Sequence, residues 1–379
     1  MKVAFIPKVQ VDPSNSERTP KLLYMLSQWF EVEAIPTGSL DRMVYDQAGN
    51  RFFRYLLFSL NEAVLFWTTL RVGKRSKVSA VFGEGTYYSL AGGMAARVLG
   101  VPMVWDNHGN IRDFSKALGK SGFFMYGNLA LERVLAQLSD KVLVVSQKEI
   151  DAYRALGFDT SKFMVVPTCA DMALARSRTI PREQARRTLN IPDDEKVILF
   201  FGALKYMPNR DAASYLIQEM WPEVARAVPE AKLYIAGSGR LDIEVPKGVT
   251  MLGFVPDLYL WMSAADVCVA PIWKGVGILT KVIDMLSAGR ATVVSPLALD
   301  GMPELQHGRN CMVGGDRSTF AGMVVELLRD PTVSQTIGNE GRRMVSTNYN
   351  WEVTGDRLRA AIAALAPTDN YKNAMLPKD

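Results

Sequence analysis

Short β-branched runs alternate with longer helical stretches along the whole chain, and that rhythm restricts the fold more than any single motif. VAFI (3–6), VEAI (32–35), VSAVF (78–82), VPMVW (101–105), KVLVV (141–145) and FMVV (163–166) read as strands in the first half. VILFF (197–201), KLYIAG (232–237), VTML (249–252), DVCVAP (266–271) and ATVVS (291–295) repeat the pattern in the second. Runs apolar on both faces fit parallel strands covered by helices on either side. Two successive β/α series predict an α/β protein with two doubly wound domains, and 379 residues are enough for two cores of ordinary size. The segment 171–196 is charged, holds two prolines and has no strand, so the boundary is expected there. Ligands of such sheets bind beyond the carboxyl ends of the strands, which makes a cleft between two such domains the expected site.

Composition narrows the function classes. With 48% hydrophobic and 22% charged residues the chain reads as folded, and its net charge of +5 points to an anionic partner. No dense Lys/Arg run with interleaved aromatics marks a nucleic-acid groove, so nucleic acid is not expected. Cys169, Cys268 and Cys311 form no CxxC pair, only His108 and His307 are present, and there is no Asp-x-Asp triplet. A disulfide framework and a protein-built metal site are therefore both unexpected. The apolar run in MKVAFIPKV is too short for a signal peptide, and no run of about 18 apolar residues would span a membrane. The expectation is a cytoplasmic protein, or one held peripherally on the inner face of the plasma membrane.

The densest chemistry lies in WKGVGILTKVIDMLSAGRATVVSP (273–296). A loop leaves the DVCVAP strand, and a helix over ILTKVIDMLSAG follows, stopped by Gly289. Gly275 and Gly277 let backbone approach a ligand, and the amides of Ile278, Leu279 and Thr280 would face an anion at the helix start. Lys281 and Asp284 share one helical face, while Val282, Ile283, Met285 and Leu286 turn to the core. A cation on phosphates with a carboxylate on ribose hydroxyls would use this spacing. A tight turn carrying a solvated i,i+3 ion pair would use it equally well.

The run from Pro271 to Val294 resembles the donor-site segment of the large retaining glycosyltransferase family four, the group 1 glycosyl transferases. The likeness extends along most of the chain: FFGALKYMPNRDA (200–212), KLYIAGSGR, VTMLGFVPD, SAADVCVAP and HGRNCMV follow in the family's order, preceded by SDKVLVVS and VVP (165–167). YNWEVTGDRL resembles the start of the family's last helix, which crosses back onto the N-terminal domain. The resemblance implies the GT-B architecture, two Rossmann-like domains facing across a cleft. It divides the chain into an acceptor-side domain (1–172), a linker (173–195), a donor domain (196–350), a crossover helix (351–366) and a flexible tail (367–379). There are departures. The family's Glu-x7-Glu pair reads Val276 and Asp284, and its Arg…Lys pair is missing, with Ala203 after Gly202 and Asn209 where the lysine is expected. Lys205, Arg210 or Lys281 would then supply the phosphate charge. The N-terminal Gly-Gly loop is replaced by PKVQVDPSNSERTP.

The activity implied is metal-independent glycosyl transfer with retention, from a UDP or GDP sugar, with no cofactor beyond the donor. Gly202, Arg210, Gly237, Gly275, Gly277 and the amides of Ile278, Leu279 and Thr280 would hold the donor, with Phe254 and Val255 against the base. Lys281, Lys205, Asp284 and His108 would carry the chemistry. His108 and Asp106 compete as the polar contact in WDNHGN (105–110), with Glu84 in FGEG as a further acceptor-side candidate. His307 reads as structural.

Residues 51–77, RFFRYLLFSLNEAVLFWTTLRVGKRSK, are rich in aromatics and Leu and flanked by Arg and Lys, and GKSGFFMYG (119–127) adds a second such patch. These fit an interfacial helix on anionic lipid, and a lipid-linked or polysaccharide acceptor, as well as they fit a buried helix with a basic cap. Two other functions fit the same residues: a degenerate nucleotide-sugar-binding protein, and a nucleotide-sugar 2-epimerase. A dinucleotide oxidoreductase does not, because GSGR (237–240) and GEGTYY lack the third glycine.

Overall fold

The computed structural model describes residues 1–7, 18–36, 51–109, 123–275 and 277–365, with the side chains of 51–58, 123 and 124 set aside. The chain divides into two units, Met1–Pro167 with Gly355–Asp379, and Thr168–Thr354.

The first unit is built on six parallel strands: β1 (Lys2–Ile6), β2 (Glu31–Ala34), β3 (Ala80–Glu84), β4 (Met103–Asp106), β5 (Lys141–Val144) and β6 (Phe163–Val165). Their order is β2-β1-β3-β4-β5-β6. The second unit has β7 (Lys196–Phe201), β8 (Ala231–Ala236), β9 (Val249–Gly253), β10 (Val267–Ala270), β11 (Ala291–Val294) and β12 (Met312–Val313), in the order β12-β11-β10-β7-β8-β9. All eleven strands expected from the sequence are present. The twelfth, two residues inside HGRNCMV, is too short to leave a pattern.

The central strands of both sheets are buried on both faces, as apolar parallel strands require, while the edge strands β2 and β9 are partly exposed. β3 and β10 are buried along their whole length. Phe5 stacks on Phe82 at 5.5 Å in the first core, and Tyr215 meets Phe320 edge-on at 5.9 Å in the second. Each sheet also reverses its winding once, between β1 and β3 and between β7 and β10. Loops leaving the strands on either side of such a reversal diverge and open a crevice at the carboxyl edge.

The segment expected to be a linker is folded. Helices Met172–Arg178 and Arg182–Leu189 occupy it, the first capped by Asp171, whose carboxylate accepts from Leu174 N at 2.8 Å. Fully buried Arg186 donates to the carbonyls of Ala264, Pro192, Asp193 and Glu195 and pairs with Asp266 at 2.7 Å. A guanidinium can be buried only when its donors are met this completely, so the segment is fastened onto the second unit. The final helix, Trp351–Ala363, carries the chain back into the first unit from Gly355. A Cβ at Gly355 would meet the Trp29 ring at 2.6 Å, and Arg359 stacks over that ring at 5.5 Å. Residues 367–379 lie outside the described residues.

Candidate active site

In the first unit the functional side chains gather at the winding reversal. Glu84 and Asp106 end β3 and β4 and are direct register partners, so the two strands hold both carboxylates on one face. The helix Arg18–Trp29 follows β1 across the reversal and brings Arg18 and Thr19 in its first turn; Pro20 is tolerated there because that turn has no helical N–H acceptor. Arg18 Nε and a terminal nitrogen bond both Asp106 oxygens, at 3.0 and 2.6 Å, and Arg18 also donates to Val166 O at 2.8 Å. Thr19 Oγ1 donates to Glu84 Oε1 at 2.8 Å. His108 Nε2 lies 2.7 Å from Asp106 Oδ2 and 3.4 Å from Glu84 Oε1.

Asp106 and Glu84 are 0% and 1% exposed, whereas His108 reaches solvent. Burial would raise the Asp106 carboxyl, but the Arg18 guanidinium and His108 outweigh it and hold Asp106 well below the usual carboxylate range. His108 and Asp106, competing candidates in the sequence, are thus parts of one array. The ligand atoms of Glu84, Asp106 and His108 all lie within 4.8 Å of one another, a spacing that would suit a metal ion. Arg18 already bonds both Asp106 oxygens, so a cation there would meet the charge of its guanidinium.

In the second unit the crevice is made by backbone. Phe201 and Ala236 are register partners at the ends of β7 and β8, so Gly202 and Gly237 follow side by side. A Cβ on Gly237, at φ +145°, would fall 2.1 Å from Gly202 O. One on Gly202 would fall 2.6 Å from Asn209 Nδ2 and 2.7 Å from Lys281 Nζ. Asn209 sits in the first turn of the helix Met207–Tyr215, donating to Ala203 O at 3.0 Å and accepting from Lys281 Nζ at 2.6 Å. Nζ also lies 4.6 Å above the Phe200 ring. Burial alone pulls the Lys281 ammonium down to about 7.

The loop before Lys281 behaves as expected in part. Gly277 is left-handed, at φ +70°, a conformation that favours glycine. Gly275 has no such need: a Cβ there would make an ordinary contact with Leu297 at 3.4 Å. Val276, where the family has its first glutamate, lies outside the described residues. The helix runs Thr280–Ser287, starting two residues later than the sequence indicated, and buries Val282, Ile283, Met285 and Leu286. Consequently the amides of Ile278 and Leu279 precede the helix and that of Thr280 opens its first turn, and no described residue accepts from them. The i,i+3 pairing of Lys281 with Asp284 is not made; Lys281 crosses to Asn209 instead. Asp284 remains partly exposed one turn along, where burial and its charge together push the Tyr259 phenol up to about 12.

Of the other phosphate candidates, Lys205 and Arg210 are exposed, and Arg210 Nε is committed to Leu204 O at 3.2 Å. Phe254 projects beyond β9 with 78% of its surface exposed, and Val255 beside it is partly buried. Arg18, Thr19 and the acceptor role of Asn209 were not read from the sequence. A polar SERTP helix start carries no sign that its arginine will meet residue 106.

Residues 195–330 match the family model for glycosyl transferases group 1, and residues 27–169 match the model for the glycosyl transferase 4-like domain. A GDP-mannose-dependent monoacylated phosphatidylinositol monomannoside mannosyltransferase from Corynebacterium glutamicum is 25% identical over 293 residues, 73% of this chain and 74% of that protein. Among solved structures, sucrose-phosphate synthase from Thermosynechococcus elongatus superposes with a TM-score of 0.74 at 16% identity, covering 96% of this chain and 98% of that one. Anabaena HepE, solved with UDP, superposes with a TM-score of 0.72 at 15% identity, covering 96% and 100%. Both halves match models of one enzyme group on one fold of two Rossmann-like domains, and the chain belongs to the group 1 glycosyltransferases of GT-B architecture.

Proposed function

We propose that the protein transfers a sugar from a UDP or GDP sugar, with retention and without a metal, to a lipid-linked or polysaccharide acceptor at a membrane surface. The observation that carries the reading is the placement of Lys281 Nζ at the Gly202–Gly237 crossing, against Asn209 and close in sequence to three amides without an acceptor among the described residues. Loss of a nucleoside diphosphate develops negative charge, and preorganised amides with one ammonium stabilise such charge as it forms. Asp284 would take the ribose hydroxyls, exposed Phe254 the base, and the His108–Asp106–Glu84 array a sugar or acceptor hydroxyl. The mannosyltransferase relative names GDP-mannose and HepE was solved with UDP, so both bases are to be tried.

The acceptor-side reading rests on the helix Arg51–Ser76. Its inner face buries Asn61, Glu62, Leu65 and Thr69, while Leu60, Val64 and Trp67 are 50%, 47% and 68% exposed. Exposed Arg71, Lys74, Arg75 and Lys77 continue the outer stripe. Apolar anchors beside cations fit an anionic lipid surface. Among the described residues no helix is long and apolar enough to cross a membrane.

The deciding experiment is a thermal-shift screen against UDP, GDP, ADP and their sugar conjugates, with and without EDTA, on wild type and Asp284→Ala. A shift of several degrees with one nucleotide, insensitive to EDTA and lost in the variant, supports the reading. No shift with any nucleotide removes it. Flotation with anionic liposomes at low salt tests the membrane surface, which is abandoned if wild type stays at the bottom of the gradient.

A further inference from the structure

Asn107 lies between Asp106 and His108 and faces the opposite way. Alternation along the strand end sends Trp105 and Asn107 to one face of the sheet and Asp106 and His108 to the other. Trp105 and Tyr153 share one core cluster, and Asn107 Nδ2 donates to the Tyr153 hydroxyl there. Tyr153 is 0% exposed, on the helix Gln147–Ala155, with its ring edge-on to Phe158 at 4.9 Å and tilted against Phe163 at 5.1 Å. Its hydroxyl also bonds the carboxylate of fully buried Glu132. Burial, with the charges of Glu132 and Glu149, pushes the phenol well above its ordinary value, so it remains a hydroxyl able to donate to Glu132 and accept from Asn107.

The backbone around Asn107 is pinned on either side: Gly85 N donates to Asp106 O, and Asn107 N donates to Leu143 O, each at 2.8 Å. The backbone turns away next, at Gly109, where φ is +148°. The Asn107 side chain is the anchor nearest His108 that these backbone bonds do not supply.

We infer that Tyr153 is a positioning residue: through Asn107 it fixes the loop that aims the His108 imidazole at Asp106 and Glu84. Tyr153 touches no reacting group. A rigid donor–acceptor chain, Asn107 to Tyr153 to Glu132, keeps the neighbouring histidine at one angle, and displacements near 1 Å in such arrays cost turnover steeply. The inference rests on the proposed role of His108, and its test separates the two.

The chain has two histidines, so the imidazole spectrum is simple and His307→Gln assigns it. In Tyr153→Phe, which keeps the ring and removes the hydroxyl, the His108 nitrogen and carbon resonances shift while those of His307 stay in place. Release of nucleoside diphosphate from UDP-glucose or GDP-mannose, whichever donor the screen selects, falls at least tenfold in kcat with donor KM within twofold. If Tyr153→Phe loses the folded circular-dichroism signal, Asn107→Ser carries the same test with the tyrosine intact. An unmoved His108 resonance in the folded variant overturns the inference. Full turnover in His108→Ala overturns the site reading alone, since the resonance shift does not depend on turnover.

Discussion

Lys281→Met separates charge from volume at the crevice of the second unit. If the Lys281 ammonium bonds a phosphate oxygen as proposed, removing it forgoes a charge-assisted hydrogen bond, about 1.5–3 kcal/mol, which is roughly 10- to 150-fold in affinity for the nucleotide. The distinctive prediction is the pH dependence. Burial holds the free ammonium at about 7, and a bound diphosphate would raise that value by favouring the charged form. Affinity is therefore full below pH 7 and falls about tenfold per pH unit above it, until the pKa of the bound state is reached. Without ligand the sign reverses. A folded pKa below the unfolded value of 10.5 means that the charged side chain destabilises the apo protein, most strongly at pH 7 and below. Lys281→Met should thus melt higher than wild type when empty and bind nucleotide more weakly. Isothermal titration of the selected nucleotide from pH 6 to 8.5, with melting curves of both proteins, measures each effect. A pH-flat affinity in wild type, or equal affinity in the variant, would refute the assignment of Lys281 to the phosphates.

Asp106→Asn leaves the buried Arg18 guanidinium without its counter-charge and should cost about 3–5 kcal/mol, read as a lowered urea midpoint at pH 7. Because the folded Asp106 pKa is depressed, its stabilisation is complete above the unfolded value of 3.8 and fades as pH falls from there toward the folded value, so the gap between the acid melts of the two proteins should narrow steadily below 3.8. Gly237→Ala drives a Cβ onto the Gly202 carbonyl at a φ of +145°, and should lower stability by about 2 kcal/mol or more, checked by thermal melting. Gly202→Ala, at a φ of +157°, meets the Asn209 amide and Lys281 Nζ; it should lower stability as well and also lose nucleotide binding, as melting curves with and without nucleotide would report.

The alternation of strand and helix was legible because a parallel strand must be apolar on both faces, a demand written in consecutive residues such as those of β3 and β10. The glycines of the crevice were legible for a similar reason: a missing side chain at Gly202 or Gly277 is a local property. The helix start at Thr280 was misread by two residues, since Ile278 and Leu279 carry helical spacing yet follow a left-handed Gly277. The linker was misread because charge and proline look alike in a tether and in a helix pinned by one buried arginine.

The residues themselves determined two doubly wound sheets, the family and the crevice loop, all of which depend on local periodicity and spacing. Pairing across the sheets was decided only by tertiary structure. Strand register set Glu84 opposite Asp106, the winding reversal after β1 brought Arg18 to them, and that after β7 brought Lys281 to Asn209. The substitution of Asn209 for the expected lysine reads as a lost charge in the sequence. In the fold, the ammonium of Lys281 is delivered to that place from 72 residues away. Chain neighbours obey local sterics, but an ion finds its partner only where packing has placed it.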